Sequence, residues 1–374
     1  MSVVKIDIQR TAHPKAKPTL PDLGFGRVFT DHMVLMDYDK PAGWGAPRVV
    51  PYGPLSLDPS TTVFHYAQAM FEGMKAFRGK DGKVRLFRAE RHAKRMAEGA
   101  KRLCMPSVDP EVMLQSLHTL LAVDEAWVPS APTTAMYVRP TLIGTDPLLG
   151  VRASTRYLFF IILSPVGAYW TDGFKPLKIW VEEKYVRAAQ GGTGSVKASA
   201  NYVASLAASE EAKARGYAQV LWLDAKEHQY IEEVGTMNLF VRIGDEVVTA
   251  PLEGTILGGV TRDCVIQLLR SWNVKVSERK VSVDELVAAH QQGELKEVFG
   301  TGTAAVISSV GELGREAGKM VINEGKVGEL SKRLFDAITG IQYGEQPDQF
   351  GWLTELKTGL AGDGGSRPRV AAQG

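Results

Sequence analysis

The sequence predicts a two-domain protein of mixed α and β structure, a smaller α+β unit followed by a larger β-core with helices outside. Three observations carry this reading. At 374 residues the chain is long enough to bury two hydrophobic cores. Strand-like and helix-like stretches follow one another without the regular alternation of βαβ units. Near the middle, Ala168 to Pro176 is aromatic and glycine-bearing, the composition of an interdomain connection. The expected division is a flexible arm over 1–23, a small domain over 24–170, a connection over 171–184, a large domain over 185–358 and a fraying tail over 359–374.

In chain order, Met1 to Leu23 is polar and rich in proline and lysine, and reads as an arm or disordered leader. Met33 to Met36 is a strand, and Pro41 to Pro54, dense in proline and glycine, a surface loop. Val84–Phe87 is a short strand, followed by helices over Ala89–Leu103 and Glu111–Val123 and buried strands over Thr134–Ile143 and Tyr157–Leu163. In the second half, strands are predicted at Leu177–Val181, Gln219–Leu223, Asn238–Ile243 and Glu246–Thr249, with others near Val274 and Val298. Helices are predicted over Ser199–Arg215, stopped by Gly216, then over Thr261–Trp272 and Glu329–Ile338.

Composition removes several function classes. Lys+Arg 44 against Asp+Glu 42 leaves a net charge of +2 with no long basic block, so nucleic-acid or membrane-surface binding has no support. Two cysteines, Cys104 and Cys264, far apart, argue for a reducing compartment and against a disulfide framework or a cysteine-rich metal site. No apolar run approaches the length of a membrane span, and the first residues carry no signal-peptide pattern. No metal is called for, and a cytoplasmic protein is the expectation.

The chemistry centres on Gly191 to Tyr202, where a glycine-rich approach delivers Lys197 to the start of a helix. Held between small residues, such an amine is poorly solvated, can lose its proton near neutral pH and attack a carbonyl, and could carry a Schiff base. For a glycine-rich loop in isolation, a solvated lysine is the simpler account. A phosphate-binding P-loop fails, because Val196 and Ala198 stand where Gly and Ser or Thr are required. Downstream, Glu232 and Glu233 stand at the turn before an apolar strand. A pyridoxal ring needs such a carboxylate beside its nitrogen. Composition alone does not choose between the two acids.

Together these stretches resemble the branched-chain amino-acid aminotransferases, pyridoxal-phosphate enzymes of fold type IV. The likeness runs from about Phe25 to Gly344 through Phe71–Gly79, Tyr137–Thr141, Ser164–Gly167, the lysine stretch, Glu233–Asn238, Gly258–Arg262 and Gly300–Ala304. The resemblance implies the D-amino-acid-aminotransferase-like fold and pyridoxal 5'-phosphate as cofactor. It makes Lys197 the catalytic residue, and has Arg95, Val260, Thr261 and Thr303 bind the phosphate, Glu233 the ring nitrogen and Tyr202 the ring oxygen. Without it, Thr261 is an ordinary N-cap and Arg95 a solvated helix arginine. It implies a substrate pocket of Phe25, Tyr66, Phe71, Tyr137, Arg139, Tyr169, Thr236 and Ala304, although each aromatic could equally be core. It further implies that Tyr66, Leu149 and Val151 reach the neighbouring subunit's site, which makes a homodimer the active unit. The substrates implied are leucine, isoleucine or valine with 2-oxoglutarate. Ala305 and Ser308 replace a Cys-x-x-Cys pair found in certain eukaryotic members, so thiol control of that kind is excluded. The rivals are a D-amino-acid aminotransferase or aminodeoxychorismate lyase within the fold, and a nucleotide-binding module outside it.

Overall fold

The computed structural model describes residues 4–18, 23–168 and 173–356. Tyr169, part of the interdomain connection and the tail 359–374 lie outside the described residues. Two sheets organise the rest, one of ten strands and one of nine. The centre of the first is the antiparallel pair Ala135–Gly144 and Arg156–Val166, both crowded with aromatic and β-branched residues that suit a doubly covered strand. Pro140 lies inside this centre without an N–H to give a ladder. It stands where its strand changes partner, from Met74–Arg78 to Ala69–Phe71. The Glu72 N–H crosses the gap to the Pro140 carbonyl at 2.8 Å. The partner change thus leaves Glu72 and Gly73 between two short strands.

In the second sheet Ile231–Val234, Gln219–Leu223, Leu177–Glu182, Val306–Arg315, Leu295–Gly302 and Met237–Ile243 pair in that order. The last pairs with the first, closing a barrel. Its inside is filled by Ile179, Val181, Leu221, Leu239, Val241, Val298 and Val310. A closed barrel leaves no free edge among these strands. A further core joins the two sheets: Phe77, Tyr137 and Val166 from the first pack with Phe240, Phe299 and Ile307 from the second. The helices Val260–Ser271 and Glu329–Gln342 complete it. The strand Leu353–Glu355 returns to the first sheet and pairs with Arg85–Phe87, so residues beyond the barrel belong to the opposite half.

The mixed two-part fold is the one predicted, with five differences in detail. Residues 4–18 are not a loose leader. Asp7–Ile8 pairs with Arg48–Val49, and the Thr11 N–H donates to His32 Nε2 at 2.9 Å, while His32 Nδ1 bonds Asp124 at 2.7 Å. Pro41 to Pro54 is not all loop, because Arg48–Pro51 pairs with His32–Leu35, its proline falling at the strand end. The helix expected over Ser199–Arg215 is two, Ser199–Val203 and Leu206–Ala214. Ser205 explains the break: its hydroxyl donates to the Tyr202 carbonyl at 2.7 Å and competes for the acceptor a continuous helix would use. Finally, Glu232 and Glu233 lie within the strand Ile231–Val234, and the turn follows at Gly235, whose φ is +55°. The ladder slips there, Leu221 opposing Val234 while Leu223 opposes Ile231, a bulge that re-aims the two acids. The helix Val283–Gln291, absent from the sequence reading, has a legible start: Ser282 accepts from the Glu285 N–H at 3.0 Å.

Leu334, fully buried on the helix Glu329–Gln342, packs in the core shared by both sheets. Leu334→Ala is expected to destabilise the whole molecule in one transition by roughly 2–5 kcal/mol. Urea unfolding followed by tryptophan fluorescence checks this. A loss under about 1 kcal/mol, or separate transitions for the halves, would contradict the shared core.

Candidate active site

Lys197 enters the site in extended backbone stitched to the first sheet: its carbonyl accepts from the Phe71 N–H at 3.2 Å, and Ala198 bridges Met70. The glycine-rich approach is held at its carbonyls. Arg102 donates to Gly191 and Gly192, Arg187 to Gly194 and Thr255, and Asn201 to Thr193 and Val196. A Cβ at Gly194 would collide with the Thr255 carbonyl, which is why the approach must be glycine. The loop is therefore a braced bracket that presents one amine.

That amine donates to the Tyr202 hydroxyl at 2.7 Å and lies 4.8 Å from the Phe71 ring centroid. Burial lowers the Lys197 ammonium to about 8 and pushes the Tyr202 phenol up to about 12. Both shifts favour the uncharged forms, so the pair is an amine that gives up its proton more readily than an ordinary lysine, hydrogen-bonded to an intact phenol.

The pair opens on a cavity of ≈ 480 Å³ between the two halves. Of the predicted residues, Phe25, Phe71, Arg95, Tyr137, Arg139, Lys197, Tyr202, Thr236, Val260, Thr261, Thr303 and Ala304 all line it. Glu233 is set behind Tyr202 and Thr236, in a small adjoining recess. Burial raises its carboxyl, against the pull of Arg187, whose Nε is 3.0 Å away, and a 2.8 Å bond from the Leu257 N–H. Glu232 faces elsewhere, bonded to the Thr255 hydroxyl. Tyr66, Leu149 and Val151 do not reach the cavity and are 40%, 67% and 88% exposed. Tyr169 lies outside the described residues.

At one end of the cavity Gly259, Val260 and Thr261 begin the helix Val260–Ser271 without a side-chain cap, so its first N–H groups are free to meet an anion. Beside them, Arg95 donates through Nε and Nη2 to Glu72 at 2.7 and 2.8 Å and through Nη1 to the Gly258 carbonyl at 2.9 Å. Burial alone would raise the Glu72 carboxyl, but Arg95 and His92 hold it well below the usual carboxylate range. Also on the cavity wall, the Arg139 guanidinium lies 4.5 Å above Phe71 and donates to the Tyr137 hydroxyl at 3.0 Å, its Nε buried without a partner. Gly73 makes room for that tyrosine, since a Cβ there would strike its hydroxyl.

Sequence reasoning assigned no role to Glu72, His92, Arg187, Asn201 or Asn238. Arg187 bonds Thr255 and Glu233, which only folding brings near, whereas Asn201 bonds Thr193 and Val196 within its own stretch. Glu72 stands beside Gly73 in a noted stretch, but its partners lie 20 and 23 residues away.

The amino-transferase class IV family matches residues 69–313. The "Branched-chain-amino-acid aminotransferase 2" of Bacillus subtilis (strain 168) is 51% identical, over 95% of this chain and 98% of its own length. A T.th. branched-chain amino acid aminotransferase solved with pyridoxamine 5'-phosphate is 25% identical with a TM-score of 0.71, covering 86% of this chain and 98% of its own. The Thermobaculum terrenum branched-chain amino acid aminotransferase in its PLP form shares the fold at 21% identity and a TM-score of 0.70, covering 87% and 98%.

The Lys197 amine yields a pH test in the unliganded protein. Its folded value, about 8, lies below its ordinary 10.5. Between those values the unfolded chain binds more protons, and stability gains with rising pH. Measured against Lys197→Met, the parent is expected to gain on the order of 1–3 kcal/mol from pH 8 to about 10.5. Urea midpoints that stay parallel across that window would contradict the buried amine.

Proposed function

The chain belongs to the class IV aminotransferases, and from that membership we propose that it transfers the amino group of L-leucine, L-isoleucine or L-valine reversibly to 2-oxoglutarate. The single observation that carries the reading is the Lys197–Tyr202 pair, 2.7 Å apart, facing a cavity that is also lined by an uncapped helix start and by Arg139 over Phe71. The family's cofactor is pyridoxal 5'-phosphate. The residues fit that group: free N–H donors of Val260 and Thr261, the Thr303 hydroxyl and the Arg95 N–H groups left over from Glu72 and Gly258 would hold its phosphate, and Lys197 would attach it. Thr301, whose buried hydroxyl on the cavity wall lacks a partner, is a further unspent donor.

When bound, the cofactor supplies an electron sink that acidifies the α-carbon of an attached amino acid. The protein's own groups do the rest. Lys197 Nζ, which burial makes easier to deprotonate than an ordinary lysine, would take the α-proton and return it at the neighbouring carbon. Tyr202 keeps its proton and donates to the ring oxygen. Glu233, buried beside Arg187, would hold the ring nitrogen and sustain the sink. Phe25, Phe71, Tyr137, Thr236 and Ala304 form an apolar wall for a branched side chain and keep water away. Arg139 makes no ion pair among the described residues, which leaves its guanidinium for the side-chain carboxylate of glutamate.

The exposed Tyr66, Leu149 and Val151, with Phe64 at 60%, are the surface on which a second copy would close its own cavity against this one. A homodimer is the active unit in this reading. Two free cysteines support a cytoplasmic setting, and no helix among the described residues is long and apolar enough to cross a membrane.

Two experiments test the assignment. Pyridoxal-phosphate-loaded protein should change its visible spectrum with L-leucine and recover it with 2-oxoglutarate. Lys197→Ala should lose the borohydride-trapped label and roughly 10³-fold or more in turnover. A response to D-alanine with none to L-leucine would overturn the reading. Second, Arg139→Met should slow the half-reaction with glutamate more than that with leucine, by roughly 1.5–3 kcal/mol in single turnover. Equal losses for both amino acids would make Arg139 a brace for the strand.

A further inference from the structure

Lys75 lies on the strand Met74–Arg78, opposite Tyr137 in the first sheet. It is 8% exposed, and its ammonium donates at 2.7 Å to the Ala304 carbonyl, across the boundary between the halves. Burial lowers it to about 8, with no carboxylate acting on it. A buried cation facing one neutral acceptor is costly, and an uncharged amide could brace a carbonyl without that penalty. The charge calls for an anion nearby.

Ala304 sits at the tip of the hairpin that joins Leu295–Gly302 to Val306–Arg315. Thr303, Ala304 and Ala305 all line the cavity, and their N–H groups donate to no described acceptor. In a trans peptide the C=O and the following N–H point in opposite directions. The Ala304 carbonyl points back to Lys75, so the Ala305 N–H in the same plane points forward, toward the cavity. An ammonium on the carbonyl polarises that N–H further. Lys75 itself does not line the cavity.

We propose that Lys75 is a positioning residue for the substrate α-carboxylate. From behind the hairpin tip it supplies the positive potential and peptide polarisation that let the tip N–H groups hold that carboxylate. The proposal rests on the amino-acid substrate class argued above. It separates two anion sites: the tip serves the carboxylate every substrate carries, and Arg139 the one only glutamate adds.

The test compares 4-methylpentanoate, which is leucine without its amine, with uncharged 4-methylpentanamide, by calorimetry on the pyridoxal-phosphate-loaded protein. The parent should prefer the acid. Lys75→Gln, which keeps a donor for Ala304, and Lys75→Met should each weaken the acid about tenfold or more and leave the amide unchanged. Lys75→Arg should retain most of the preference. The KM for L-leucine should rise in the neutral variants with kcat within about twofold. Lys75→Gln binding the acid as the parent does would overturn the charge role. Acid and amide weakened alike, with a lower Tm, would make Lys75 a structural tether. A parent with no preference for the acid would overturn the tip site and Lys75 with it, while the spectral response to L-leucine judges the amino-acid reading separately.

Discussion

The buried carboxylate of Glu72 is the charge on which the site is assembled. It is fully enclosed, and its two oxygens take the Arg95 fork and the His92 ring. Removing either partner would strand a charge inside the protein, at a cost of several kcal/mol, so the cluster stands or falls as a unit. It also spans the molecule. Glu72 sits in the gap opened by Pro140 in the first sheet, and Arg95 rises from the following helix. The third arm of that guanidinium holds the Gly258 carbonyl at the start of the helix Val260–Ser271. One ion pair therefore fixes how a strand, a helix and a distant helix terminus meet around the cavity.

The rest of the electrostatics follows from controlled burial. Lys197 and Tyr202 are both pushed toward neutrality by the same lack of solvent, so the amine loses its proton more readily than an ordinary lysine does. Glu233 feels the same burial, which raises its carboxyl, while Arg187 and the Leu257 N–H pull it back down. Arg187 also donates to the carbonyls of Gly194 and Thr255. The residue that pairs with Glu233 thus braces the loop that presents the amine, and the two cannot drift apart independently. Lys75 extends the pattern to a third wall: its single neutral acceptor leaves positive potential beneath the hairpin tip.

Close packing explains several small residues that chemistry alone would not. Gly73 yields its side-chain volume to the Tyr137 hydroxyl, and Gly194 to the Thr255 carbonyl. At Gly259 the space a Cβ would need is taken by the Asn238 side chain, which in turn donates to the Leu257 carbonyl. These glycines bring main chain close to the cavity, where its N–H groups can serve as donors.

Much of this protein was legible in its residues. Periodicity located the long strands and helices, because a half-buried element must repeat its apolar residues at its own geometric period. The motif order singled out the lysine, the helix start and the aromatic residues that the fold brings to one cavity, since each motif depends on a few adjacent residues. What the sequence did not determine depends on residues far apart in the chain. The arm 4–18 looks disordered by composition, yet His32 and the strand Arg48–Pro51 supply its hydrogen bonds. The strand bulge that turns Glu232 and Glu233 to different partners depends on the register against Gln219–Leu223. The roles of Glu72, Arg187 and Lys75 were hidden for the same reason. A buried charge is defined by the partner that neutralises it or the anion it awaits, and only the tertiary structure brings those within hydrogen-bonding distance.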